Sequence, residues 1–171
     1  METNSRKKII FLDIDGVLNT KWWYTQMNRN TPKDKYGYAF DPKAVANLRR
    51  IVEDTGADIV ISSSWKFMGL DKLRAMWNER ELAGNVIDVT PNGMCDEVLL
   101  TAGLDNMGVT RCRGNEIREW LMQHSDVTHY VILDDMNDIL QEQESHFIWI
   151  DPEVGITTEN VEQAIMMLNH V

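Results

Sequence analysis

The chain has 171 residues, 43% of them hydrophobic and 26% charged, proportions that fit one soluble globular domain and exclude a disordered or fibrous chain. Its 27 acids outweigh 17 bases for a net charge of −10, which argues against a general electrostatic grip on nucleic acid but leaves room for a locally basic site. No apolar run approaches the roughly 18 residues of a membrane span, and residues 1–8 lack the apolar segment of a signal peptide, so the expected location is the cytoplasm.

Residues 9–12 are a short apolar run that reads as a strand buried on both faces. It ends in Asp13 and Asp15, which leave an extended chain on the same side while Ile14 points the other way, and Gly16 permits a sharp turn. Two like charges at a strand end repel. A divalent cation is the simplest remedy, and hard oxygen ligands favour magnesium; the plainer reading is an Asp-rich turn after a core strand. Residues 20–40 show no consistent helical or strand period. Lys21, Arg29, Lys33 and Lys35 are interleaved there with Trp22, Trp23, Tyr24, Tyr36, Tyr38 and Phe40, against one acid, Asp34. Such a segment either holds a nucleotide by stacking and charge, with Lys21, Trp22 and Trp23 as candidate contacts, or is a flap packed on its own rings.

Asp41 and Pro42 open a helix as N-cap and first-turn residue; Val45, Leu48 and Val52 form its expected stripe and Gly56 ends it. Residues 57–61 are a second buried strand that runs into Ser62, Ser63, Ser64 and Trp65. A helix over 71–82 turns Leu73, Met76 and Trp77 inward, Gly84 and Asn85 break the chain, and 86–89 form a short third strand. Residues 90–110, with Pro91 and three glycines, read as a surface excursion within the single domain. Arg111 to Glu116 lead into a helix with Ile117, Trp120 and Leu121 on one face. Residues 130–133 form a fourth strand that meets Asp134 and Asp135, 147–150 a fifth, and Thr157 or Thr158 caps a last helix carrying Val161, Ala164, Ile165 and Leu168.

Strands alternating with helices predict an α/β fold, a mainly parallel sheet of five strands with helices on both faces. Ligands in such sheets collect outside the carboxyl ends of the strands. Asp13/Asp15, residues 62–64 and Asp134/Asp135 all fall there, which predicts an active site. Four converging carboxylates require a metal ion, since otherwise some would stay protonated. Magnesium on Asp13, on the main-chain carbonyl of Asp15 and on Asp134 keeps positions open for water and phosphate. Asp13 then suits a nucleophile that forms an aspartyl-phosphate, Asp15 a general acid and later base, and Ser63 and Arg113 the cradle for transferring charge. Cys95 and Cys112 read as resting thiols, and the four histidines as structural or exposed.

On these residues the chain resembles the haloacid dehalogenase-like phosphatase superfamily. Phe11-Leu12-Asp13-Ile14-Asp15-Gly16-Val17-Leu18-Asn19 matches its D-x-D-G motif, and Ile59-Val60-Ile61-Ser62-Ser63-Ser64-Trp65 its strand ending in a hydroxyl, aligned on Ser63 with Ser62 as the alternative. Arg113, or else Arg111, stands for the lone basic residue, and Val131-Ile132-Leu133-Asp134-Asp135 for the paired acids. Leu18-Asn19, Ser63-Ser64-Trp65, Arg113-Gly114-Asn115-Glu116-Ile117 and Asp151-Pro152-Glu153-Val154-Gly155-Ile156-Thr157 bring it closer to the haloacid dehalogenase (HAD) domain of Swiss Army Knife RNA-repair proteins. The resemblance implies a Rossmann-like three-layer sandwich and magnesium-dependent phosphomonoester hydrolysis, with Asp13 as nucleophile, Asp15 as acid/base, and Asp134 or Asp135 as metal ligand beside Asp13 and Asp15. Arginine replaces the lysine of many relatives, yet keeps its charge and binds phosphate bidentately. The insertions are too short for a large cap, so the site is expected to be open, with Ser64 among its substrate-binding residues. An open site favours a phosphate on a nucleic-acid end or nucleotide. A small phosphorylated metabolite, a non-catalytic phosphate- or metal-binding module and a nuclease are the alternatives.

Overall fold

The computed structural model of the protein describes residues 7–92 and 112–170. Nearly all of the expected 90–110 excursion, with Cys95, lies outside the described residues, and so does Arg111.

Five strands, β1 (Lys7–Leu12), β2 (Asp58–Ile61), β3 (Val86–Val89), β4 (Val127–Asp134) and β5 (Phe147–Trp149), pair in parallel in the order β3-β2-β1-β4-β5. The chain therefore starts at the sheet's centre, winds to one edge, and crosses back to build the other. Period-two alternation divides the core. Ile10, Leu12, Ile59, Ile61, Val131 and Leu133 face one side, where they meet α2 (Pro42–Thr55), α3 (Leu70–Glu79) and α5 (Thr158–Asn169). Ile9, Phe11, Val60 and Ile132 face the other, against Ile117 and Trp120 of α4 (Cys112–Met122). There Phe11 makes edge contacts with Trp120 at 5.4 Å and Tyr130 at 5.8 Å.

Several elements differ from expectation for local reasons. The buried face of α2 is Ala44, Leu48, Ile51 and Thr55, one position round from the expected stripe, and Val45 and Val52 sit half-buried at its flank. Thr55 is admitted because its hydroxyl donates to the Ile51 carbonyl at 2.6 Å. Residues 20–40 contain a short helix, α1 (Lys21–Thr25), that no apolar period announced. It exists because the Thr20 hydroxyl caps it, accepting from Trp23 N at 3.0 Å, and because Lys21 N and Trp22 N donate to the carbonyls of Pro152 and Glu153. α4 begins at Cys112, so Arg113 lies in its first turn rather than ahead of it. Cys112 is disulfide-bonded, which overturns its reading as a resting thiol. Two histidines pack on rings, His124 on Trp120 at 3.7 Å and His146 on Tyr130 at 4.0 Å. Among the described residues, no helix is long and apolar enough to cross a membrane.

Candidate active site

The site grows out of the sheet's own hydrogen bonding. The ladder runs one step past the named strands. Asp13 N donates to Leu133 O at 3.0 Å, Ser62 N to Leu12 O at 2.9 Å, and Ile150 N to Asp134 O at 2.9 Å. The first polar residue after each buried run is thus held as firmly as the strand itself, and the tips of β1, β2 and β4 deliver Asp13, Ser62/Ser63 and Asp134 side by side.

Carboxylate oxygens of Asp13, Asp134 and Asp135 lie within 4.8 Å of one another. Asp13 and Asp134 are buried and Asp135 is partly exposed. Gly16 makes this approach possible: its φ of +79° is left-handed, and a Cβ there would run into the Asp135 carboxylate. Burial pushes the Asp13 carboxyl up to about 6, against the lowering pull of Arg113 and the Ser63 hydroxyl. Burial, then the Asp13 charge, pushes Asp134 to about 8. Left to themselves, these acids hold a proton at neutral pH. A divalent cation satisfies the same cluster without one, and every donor offered is a hard oxygen, so the residues present fit such an ion.

Arg113 reaches the cluster from the first turn of α4. One guanidinium nitrogen, Nη1, stands 3.4 Å from Asp13 Oδ1 and 3.5 Å from Asp134 Oδ2, and also donates to the Ser62 carbonyl. Burial opposes its charge, but Asp134 and Asp13 more than offset that and hold it above its ordinary value. The turn beneath it is seated tightly. Arg113 N and Gly114 N donate to the Asp138 carboxylate at 3.1 Å and the Asp138 carbonyl at 2.8 Å, and the Gln143 amide donates to Gly114 O at 2.8 Å. A Cβ on Gly114 would lie 2.8 Å from Gln143 Oε1 and 2.9 Å from the Ile139 carbonyl carbon, so only glycine lets the helix sit this close.

Of the two serines weighed for the hydroxyl, Ser63 is the one beside Asp13; the Ser62 hydroxyl is buried without a hydrogen-bond partner. The Asp15 carboxylate stands apart from the three clustered acids. Trp65 Nε1 donates to one of its oxygens at 3.0 Å and the Asn19 amide to the other at 3.0 Å. These two partners were not singled out from the sequence for any role. The Leu18-Asn19 and Ser63-Ser64-Trp65 tokens contained them, but nothing in the spacing told that Trp65 would reach 50 residues back.

A cleft of about 470 Å³ opens over the cluster, lined by Asp13, Asp15, Lys21, Tyr24, Ser64, Arg113 and Asp135 among others. Lys21 and Ser64 are therefore brought to the site. Trp22 and Trp23 are not among its lining residues: Trp22 lies exposed, and Trp23 Nε1 is tied to the Ala39 carbonyl at 2.9 Å. Tyr24 takes the place expected of them. Burial and the Asp15 charge raise its phenol, which stays protonated. A second hollow of about 490 Å³, bounded by Lys66, Phe67, Asp88 and Trp120, holds none of the clustered acids. Lys66 is committed structurally, paired with Glu116 at 2.8 Å and donating to the Pro91 carbonyl at 2.9 Å.

The motif order, the strand-tip acids and the arginine agree with one comparison. The model of the family described as the HAD domain in Swiss Army Knife RNA repair proteins matches residues 9–161. No curated protein matches the chain.

Proposed function

The chain belongs to this family of HAD domains, and from that premise we propose that it is a magnesium-dependent phosphomonoester hydrolase acting through an aspartyl-phosphate on a nucleic-acid end or nucleotide phosphate. The observation that carries the reading is the meeting of Asp13, Asp134 and Asp135 with the Arg113 guanidinium at the floor of an open cleft. Asp13, Asp134, Asp135 and the main-chain carbonyl of Asp15 are the groups that would hold magnesium. The bound ion supplies charge compensation for the carboxylates and for the phosphate oxygens.

The protein's own groups account for the rest. An Asp13 oxygen attacks phosphorus, the bond from phosphorus to the substrate oxygen breaks, and that oxygen takes a proton from Asp15. Asp15, now a carboxylate, takes a proton from water as the water oxygen attacks the aspartyl-phosphate. The phosphorus–Asp13 bond then breaks to release phosphate. Both Asp15 oxygens accept from N–H donors, Trp65 Nε1 and Asn19 Nδ2. Asp15 must free one of them to carry its proton to the leaving oxygen. Arg113 and the Ser63 hydroxyl stand next to Asp13, where the equatorial phosphoryl oxygens gather charge. Lys21 and Ser64 are the proposed rim contacts.

Phosphate release from a phosphorylated oligonucleotide, a mononucleotide and a sugar phosphate, with magnesium or with a chelator, tests the reading. Magnesium-dependent release that favours the oligonucleotide is expected, and Asp13→Asn should abolish it without loss of fold. Full turnover by Asp13→Asn would refute the nucleophile.

A further inference from the structure

The catalytic cleft has one aromatic wall. Tyr24 is the single ring among its described lining residues, and 46% of that residue is exposed. Tyr24 is also not isolated. Its ring meets the edge of Tyr38 at 6.3 Å and 74°, and the Tyr38 ring carries the Lys33 ammonium 4.4 Å from its centroid. On the same short helix as Tyr24, Trp22 carries Lys43 at 5.3 Å.

The segment that holds these rings departs from the charge of the rest of the chain. Five bases stand against two acids over residues 20–43, in a protein of net charge −10. Lys35 and Lys21 are paired with Glu79 and Glu153. Lys33 and Lys43 instead rest on ring faces, which hold a cation in place without cancelling its charge. The segment is also fixed in position. Arg80 grips Asp34 with two bonds of 2.8 Å, donates to the Tyr38 carbonyl at 3.2 Å, and lies 4.5 Å over the Phe40 ring. Rings that stack and cations that meet phosphates, set side by side on a rigid support, are what a single-stranded polynucleotide recognises. A sugar phosphate has no aromatic base to stack on Tyr24, and a singly phosphorylated peptide has no second phosphate for Lys33.

We infer that Tyr24 is the platform for the base next to the scissile phosphate, and that the attached strand leaves the cleft across Tyr38 toward Lys33. This rests on the phosphatase reading above and adds to it a direction and a stacking residue. The strand is single, because beyond that base it must leave its neighbours' stack to run across Tyr38 toward Lys33.

The test compares KM and kcat for a short phosphorylated oligoadenylate and for ribose 5-phosphate. Tyr24→Ala should raise the oligonucleotide KM by roughly tenfold more than the ribose phosphate KM, the loss of one stacked base, with little change in kcat. Tyr24→Phe keeps the ring and should restore the difference. Lys33→Ala should flatten the salt dependence of the oligonucleotide KM by about one released counterion. Equal effects of Tyr24→Ala on both substrates, or none on either, would overturn the platform while leaving the hydrolase standing. Binding of the same fluorescently labelled oligonucleotide, read by anisotropy, separates the two claims. Absence of turnover in the unaltered protein would refute the hydrolase, and the platform would then stand or fall on whether Tyr24→Ala weakens that binding. Thermal unfolding of each variant identifies a simple loss of fold.

Discussion

With no cation bound, the protein should become less stable as pH rises, the reverse of the usual behaviour of carboxylates. Burial holds the folded Asp134 near 8 against an unfolded value of 3.8, and Asp13 near 6. The folded state therefore binds the proton more tightly, and the stability this confers is present below the unfolded value and is lost as pH rises toward the folded one. The window runs from about pH 4 to about pH 8. Between pH 5 and pH 8, at about 1.4 kcal/mol per unit, the ceiling on the loss is about 4 kcal/mol; Asp13 adds little because the two carboxyls share the proton. Urea unfolding in a chelator at pH 5, 6, 7 and 8, for the unaltered protein and for Asp134→Asn, isolates this slope from the other titrating groups. The unaltered protein should lose up to about 4 kcal/mol relative to the variant across that range, and saturating magnesium should remove the slope by replacing the proton. A difference that is flat or rises with pH would refute the reasoning, because the cluster would then not be a buried one in need of positive charge.

Two further substitutions probe how the cluster is assembled. Gly16→Ala places a Cβ in a left-handed conformation and against Asp135, so it should cost about 2–4 kcal/mol in unfolding and weaken magnesium binding by calorimetry in the refolded variant. Unchanged magnesium affinity would show that Asp135 does not contribute to the site. Lys66→Met deprives Glu116 of its buried partner and should cost about 3–5 kcal/mol, most of which the double variant with Glu116→Gln should recover in thermal unfolding.

The sheet was legible because four of the five strands carry a short apolar run, and the polar residue that ends the run marks the strand's carboxyl end. That is how Asp13, Ser63 and Asp134 could be placed at one edge from sequence alone. Asp15 shows where such reasoning stops. Its position followed from the strand, but its partners, Trp65 Nε1 and Asn19, are set by the path of two loops that no periodicity describes. The same limit explains Tyr24. The composition of residues 20–40 announced an aromatic and basic surface, but which ring faces the cleft depends on how α1 is docked on the loop at Pro152 and Glu153, more than 125 residues away in the chain. The face of α2 was misread around Leu48 because Ala44 and Thr55, small enough to let the helix lie close, carry no strong apolar signal, which left Ile51 out of the stripe.

β1, flanked on both sides by paired strands, leads directly into the residue proposed as nucleophile, whereas Tyr24, Tyr38 and Lys33 ride on a segment outside the sheet. Amides at the strand tip should exchange with solvent only when the whole protein opens, and those of the segment far sooner. Such a division lets substitutions accumulate where the proposed substrate's tail would lie without disturbing the proposed chemistry. Descendants of this chain can change what they act on long before they change what they do to it.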